Sequence, residues 1–322
     1  MTYSSGSLIV ATDYNGFAND TAGANVNSIW ATGSTDSGYG QSALATVAAT
    51  NTITATQWAS LVNTISSIAS HQGTTITART APTAGNLISI LAALNTDLTN
   101  CTTNRGNAIA NGTQYTGWTG TNSKTTTTSG ASWTITFTNT VTFASAAAAR
   151  YFFNAGGRIK IDVAKSSTGN TGDPEWNDLS TTLCGDIYIT GGTATQTISG
   201  ASYTGTTKVG GTGTPTTLAT TTGWYDLTAG AAATIVYKQF ADTAPYTSNY
   251  IQHAIAKGAS SDTLVITTTW VAVDGDPISG GTAASGATPG TAPCTIVTYF
   301  PPSSTYLTTA AWGTPTVAAT VA

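Results

Sequence analysis

The sequence predicts a mainly β chain with a small helical module at its N-terminal end, and three observations lead there. From Ser132 onward, Trp133, Ile135 and Phe137 alternate with Thr134, Thr136 and Thr138, the period-two pattern of a half-buried strand. About eight such runs, divided by Gly- and Thr-rich turns, continue to residue 300, a number suited to an antiparallel, jelly-roll-like β-sandwich. Between residues 54 and 104 the apolar residues recur instead at helical spacing. The expected organisation is a module with two helices over 1–110, a Gly/Thr-rich linker over 111–130, a β-sandwich over 131–300 and an extended arm over 301–322.

Taken in order, the first 50 residues read as loops, with a short strand at Leu8–Val10 and a short helix or strand at Ala24–Trp30. Thr54 followed by Gln57 is a capping box. Trp58, Leu61, Val62, Ile65 and Ile68 then form one stripe, and Gly73 closes the helix. After Pro82, the residues Leu87, Leu91, Leu94, Leu98 and Cys101 form a heptad-like seam, predicting a second helix antiparallel to the first. Arg150–Lys165 reads as a β-hairpin on which the rest is organised. Tyr151, Phe152 and Phe153 make one strand, Asn154–Gly157 the turn, and Ile159, Ile161 and Val163 the return. Asp173 and Pro174 start a short helix that turns Trp176, Leu179 and Leu183 inward. Strands follow over 186–190, 202–209, 233–240, 249–257, 263–273 and 293–300. The Ala/Thr-rich tail reads either as an arm along a neighbour or as a disordered end.

Charged residues are 7% of the 322, against roughly 25% in an average soluble domain, while apolar residues are 40%. So few charges protect a monomer poorly against association, so we expect a surface covered by further copies or other partners. A secreted Thr-rich β protein is the alternative. The net charge of −4 and the pI near 4.8 argue against nucleic-acid binding. Arg150, Arg158, Lys160 and Lys165 read as the solvated face of the hairpin. The start of the chain lacks the basic region of a signal peptide, and no apolar run is long enough for a membrane span. Cys101, Cys184 and Cys294, odd in number and widely spaced, read as free buried thiols made in a reducing cytoplasm.

No nucleophile–base pair, metal-ligand spacing or phosphate loop is evident. His71 falls at a helix end and His253 beside Ile251 and Ile255, and both read as packing residues. Asp173, Glu175 and Asp178 are the densest carboxylates, but helix-start chemistry accounts for them better than glycoside hydrolysis does. Asp274 and Asp276 lie in an ordinary turn with too few oxygens nearby for Ca²⁺. Tyr115, Trp118, Tyr203, Trp224 and Tyr246 are either sugar-stacking rings or core anchors. No catalytic residue, cofactor or metal is expected.

Two regions carry a family resemblance. One holds Asp13-Tyr14-Asn15, Val26–Trp30, Gly38–Gln41, Ile53-Thr54-Ala55 with Trp58, and His71–Thr74. The other is Ala149–Gly169, followed by Glu175–Leu179 and the runs at Tyr246–Lys257 and Leu264–Asp274. In these the chain resembles virion structural proteins of tailed bacteriophages, especially cyanophage-type myoviruses. The resemblance implies a non-enzymatic virion protein, a tail fibre, appendage or collar component that self-assembles, for instance as a trimer, alongside other virion proteins. A receptor-binding tip or a capsid-decorating protein is the alternative. The expected self-contacts are Leu91, Leu94, Leu98, Tyr151 and Phe153. A host surface glycan would be met by Trp118, Trp224 or Tyr246.

Overall fold

Alternation at period two turns one side of each long strand inward. Along β2 (Trp133–Thr142) the residues Trp133, Ile135, Phe137, Asn139 and Val141 are buried and those between are not. This is seen in a computed structural model, which describes residues 9–20, 23–85, 93–114, 121–123, 132–165, 173–273, 278–279, 282–283, 294–300, 302 and 304–322. The larger sheet joins β2 to β8 (Thr217–Leu218), β9 (Thr234–Phe240), β10 (Tyr250–Lys257), β11 (Thr263–Ala272) and β15 (Thr316–Val321). They lie in the order β15-β2-β11-β10-β9-β8. The smaller sheet holds β1 (Thr121–Ser123), β3 (Arg158–Ala164), β4 (Asp186–Ile189), β7 (Thr206–Val209) and β14 (Cys294–Phe300), in the order β1-β14-β3-β4-β7. The short strands β5 (Gln196–Ile198) and β6 (Ala201–Tyr203) pair with each other, as do β12 (Ile278–Ser279) and β13 (Thr282–Ala283). The chain is therefore mostly β, and the ladders of both sheets are antiparallel.

Helices gather towards the N-terminal end: α1 (Ala11–Asn19), α2 (Val26–Trp30), α3 (Ala55–Gln72) and α4 (Leu94–Thr103). The capping box of α3 is present. Gln57 N–H donates to Thr54 Oγ1 at 3.3 Å and Thr54 N–H to Gln57 Oε1 at 2.8 Å. Gly73 ends the helix at φ +71°, the left-handed conformation that glycine adopts without a Cβ clash. Trp58, Leu61, Ile65 and Ile68 are buried as their spacing predicts. The second helix starts later than the seam suggested. Residues 81–85 are not helical, and the part carrying Leu87 and Leu91 lies outside the described residues. In α4, Asp97 is buried, paired with Arg79 and accepting from Thr77 N–H at 3.2 Å. The stretch expected to be loop before residue 20 is α1, with Ala11, Tyr14, Phe17 and Ala18 on one buried stripe. Tyr14 meets Trp58 edge to face, ring centres 5.5 Å apart.

The expected hairpin at Arg150–Lys165 is not one. Ala146–Asn154 is a helix, α5, and only the second half forms a strand, β3. Ser145 caps α5, its Oγ accepting from Ala148 N–H at 3.1 Å, and four consecutive alanines favour the helix. Gly156 then turns back at φ +90°, and Gly157 N–H donates to Phe152 O at 2.9 Å. The glycine pair thus closes a helix instead of bending a hairpin. The basic cluster is not a solvated face either. Arg158 and Lys165 are buried, and Lys160 pairs with Asp186 at 3.0 Å. The Arg158 guanidinium lies 4.5 Å from the Tyr203 ring centre, 5.3 Å from Phe300 and 5.6 Å from Tyr188, and donates to Asn111 Oδ1 at 2.5 Å.

One contiguous buried cluster takes in Trp58 and Leu61 of α3, Ile135 and Phe137 of β2, Phe152 and Phe153 of α5, and Ile159 and Ile187 of the smaller sheet. The tail joins it through Leu307 and Trp312. Gln41 clamps the tail. Its Oε1 accepts from Thr309 N–H at 2.9 Å, and its Nε2 donates to Thr309 O at 3.0 Å. The described tail therefore lies against its own chain and ends in β15, paired to β2 along Thr316–Val321. Most of the expected linker lies outside the described residues, but Thr121–Ser123 within it pairs with β14. No described helix is long and apolar enough to cross a membrane.

Candidate functional site

Helix ends and glycine turns meet where the N-terminal helices approach the smaller sheet, leaving a cleft of about 380 Å³. Its wall on the helical side holds Asp36 and Arg105, joined as an ion pair. Arg105 O in turn accepts from Tyr39 O–H at 2.7 Å, which fixes the loop that carries it. The opposite wall is Asn154 at the end of α5, the Gly191–Gln196 loop, and Tyr225 and Asp226. Tyr225 O–H donates to Asn154 Oδ1 at 2.6 Å, while Asn154 Nδ2 donates to Gly38 O at 3.0 Å. Asn154 thereby ties the two sides together. Burial is the main reason the Tyr225 phenol stays protonated well above its ordinary range. Gly191 packs closely here, since a Cβ there would come within 3.1 Å of the Tyr225 ring and 3.2 Å of Phe153. Gln196 lines the cleft and is buried, and its Oε1 is enclosed without a hydrogen-bond partner. An aromatic ring among carboxylates, amides and a guanidinium suits a hydroxyl-rich ligand.

The expected contact and stacking residues fall elsewhere. Leu94, Leu98 and Phe153 are fully buried within this one chain, which corrects their assignment as contacts with another copy. Helix α4 packs on α2 and α3, and Phe153 on Phe143, Phe152 and Trp224. Tyr151 is half-buried, and its ring lies where a Cβ on Gly40 would be, 2.5 Å away. Trp224 is buried, stacked on Phe153 at 5.4 Å with Lys257 Nζ 4.0 Å from its ring, so neither face is open to a sugar. Tyr246 is half-buried in the turn after β9, away from the cleft lining. Leu91, Trp118, Asp274 and Asp276 lie outside the described residues. Trp224 and Tyr246 are therefore not in the cleft lining, and the ring that lines it is Tyr225, which sequence reading missed. Its only signal was its place beside Trp224 in a Gly- and Thr-rich stretch.

Both histidines are interior packing groups. His71 Nε2 lies 3.2 Å from Ala155 O, and burial lowers its pKa to about 4. His253 is stacked on Tyr237, centres 5.3 Å apart, with Nδ1 2.9 Å from Thr268 Oγ1, and burial lowers its pKa to about 3. Cys101 and Cys184 are buried free thiols, each pushed up to about 12 by burial. The side chain of Asp173 lies outside the described residues. Glu175 and Asp178 meet Asp242, far along the chain.

No family model, curated protein or solved structure matches this chain.

Proposed function

We propose that this chain is a non-enzymatic structural protein of a bacteriophage virion, a tail-associated appendage or collar component that works by self-assembly. The two antiparallel sheets, drawing on one buried cluster, are read here as a jelly-roll-like sandwich. The observation that carries the assembly reading is β15. It is the outermost strand of its sheet, it is exposed along nearly its whole length, and it bears no charge and no proline. An uncharged strand at the end of a sheet is a template for pairing with another chain, and natural monomers normally blunt such edges. The sparse charge of the whole sequence and the resemblance of the Asp13–Thr74 and Ala149–Gly169 regions point the same way. Mass spectrometry of purified particles tests it. The protein should be present in many copies per particle, and its absence from washed particles would overturn the reading.

A second reading, host-glycan recognition, is favoured by the cleft that brings Tyr225 and Asp226 together with the Asp36–Arg105 pair. Glycan-array binding lost in Asp226→Asn would support it, and an array with no signal would set it aside.

A further inference from the structure

Glu175 in α6 (Asp173–Asn177), Asp178 at the first residue of the π-helical turn Asp178–Leu183 and Asp242 after β9 come from two distant parts of the sequence. A carboxylate oxygen from each lies within 4.8 Å of the others. Like charges so close repel, the more so where one of them is buried. Glu175 is 7% exposed, and its Oε1 is buried without a hydrogen-bond partner. Thr243 is the donor that eases its charge, while burial first and then Asp178 and Asp242 raise its pKa. Here a carboxylate is held inside the protein with one oxygen unanswered, and the group lies against two more acids. π-Helical turns of this kind recur where a helix is locally reshaped for a site.

We propose that Glu175, Asp178 and Asp242 bind a calcium ion. Ca²⁺ takes oxygen ligands at about 2.3–2.6 Å in irregular geometry, so oxygens on opposite sides of it stand about 4.6–5.2 Å apart. Three oxygens within 4.8 Å of one another fit around one such ion. The half-buried Asp178 and exposed Asp242 leave a path for entry and room for waters to complete the shell. The ion supplies Glu175 Oε1 with its missing partner, cancels the repulsion and ties the π-helical turn to the segment that follows β9. This inference is independent of the virion reading and stands or falls separately.

The test uses the full chain stripped with EDTA. Trp176 adjoins Glu175, with Trp133 and Trp270 rings 4.9 and 5.6 Å from its own, so terbium at the site should luminesce on tryptophan excitation. Calcium should displace the terbium and raise the melting temperature by several degrees, more than magnesium does. Asp242→Asn, at an exposed position that leaves the fold intact, should weaken calcium at least tenfold, and Glu175→Gln should abolish binding. The proposal is overturned if wild type shows neither terbium signal nor calcium-dependent melting. It also fails if Asp242→Asn binds as wild type does, or if magnesium is preferred.

Discussion

Arg158 is 2% exposed, and three aromatic rings and the Asn111 amide hold its guanidinium. A flat cation over ring faces is stabilised by about 2 kcal/mol or more when desolvated, and its planar shape is what three rings can grip. Arg158→Met should therefore lose about 2–4 kcal/mol in denaturant titration, from the lost contacts together with imperfect filling of the space. Arg158→Lys should not restore it. The histidines predict a pH dependence. Both have folded pKa values below the ordinary 6.5, about 4 for His71 and about 3 for His253, so each stays neutral in the fold. On acidification the unfolded chain takes up the protons first, and stability is lost as pH falls from about 6.5 towards 4. Unfolding free energies measured at pH 7, 5.5 and 4.5 should show that slope. His253→Met should make it shallower by about one proton.

At the scale of elements, the capping box of α3 is the clearest local device. Thr54→Ala removes the acceptor for Gln57 N–H and should cost about 1 kcal/mol by thermal or chemical denaturation. That helix was fully legible in sequence because cap, stripe and terminal glycine agreed. The strands β2 and β11 were legible for a similar reason, since their alternation turns one side fully inward and leaves the other largely half-buried. The run through α5 was not. Tyr-Phe-Phe before Asn-Ala-Gly-Gly fits a hairpin and a helix end equally well by composition, because both need a residue at positive φ. What decides it is Ser145 with the alanine run, lying N-terminal to the residues that drew attention. The cleft and the carboxylate cluster were illegible because each joins segments far apart in sequence: Asp36 to Arg105 and Tyr225, and Glu175 to Asp242.

For the whole molecule, the helical end, both sheets and the tail share buried contacts, so the large aromatic side chains are mostly spent inside one chain. Among the described residues, the uncharged edge at β15 is one surface available for association. If copies pair through that edge, charges placed on it should block pairing without touching the core. Ala318→Lys with Thr320→Lys, both at exposed positions, should give a folded protein with unchanged circular dichroism and a smaller assembly. The most direct measurement is the mass of the purified wild-type chain by light scattering behind a sizing column. The account predicts a trimer or larger ring that persists on dilution to nanomolar concentration. A monomer of 32.5 kDa would contradict it.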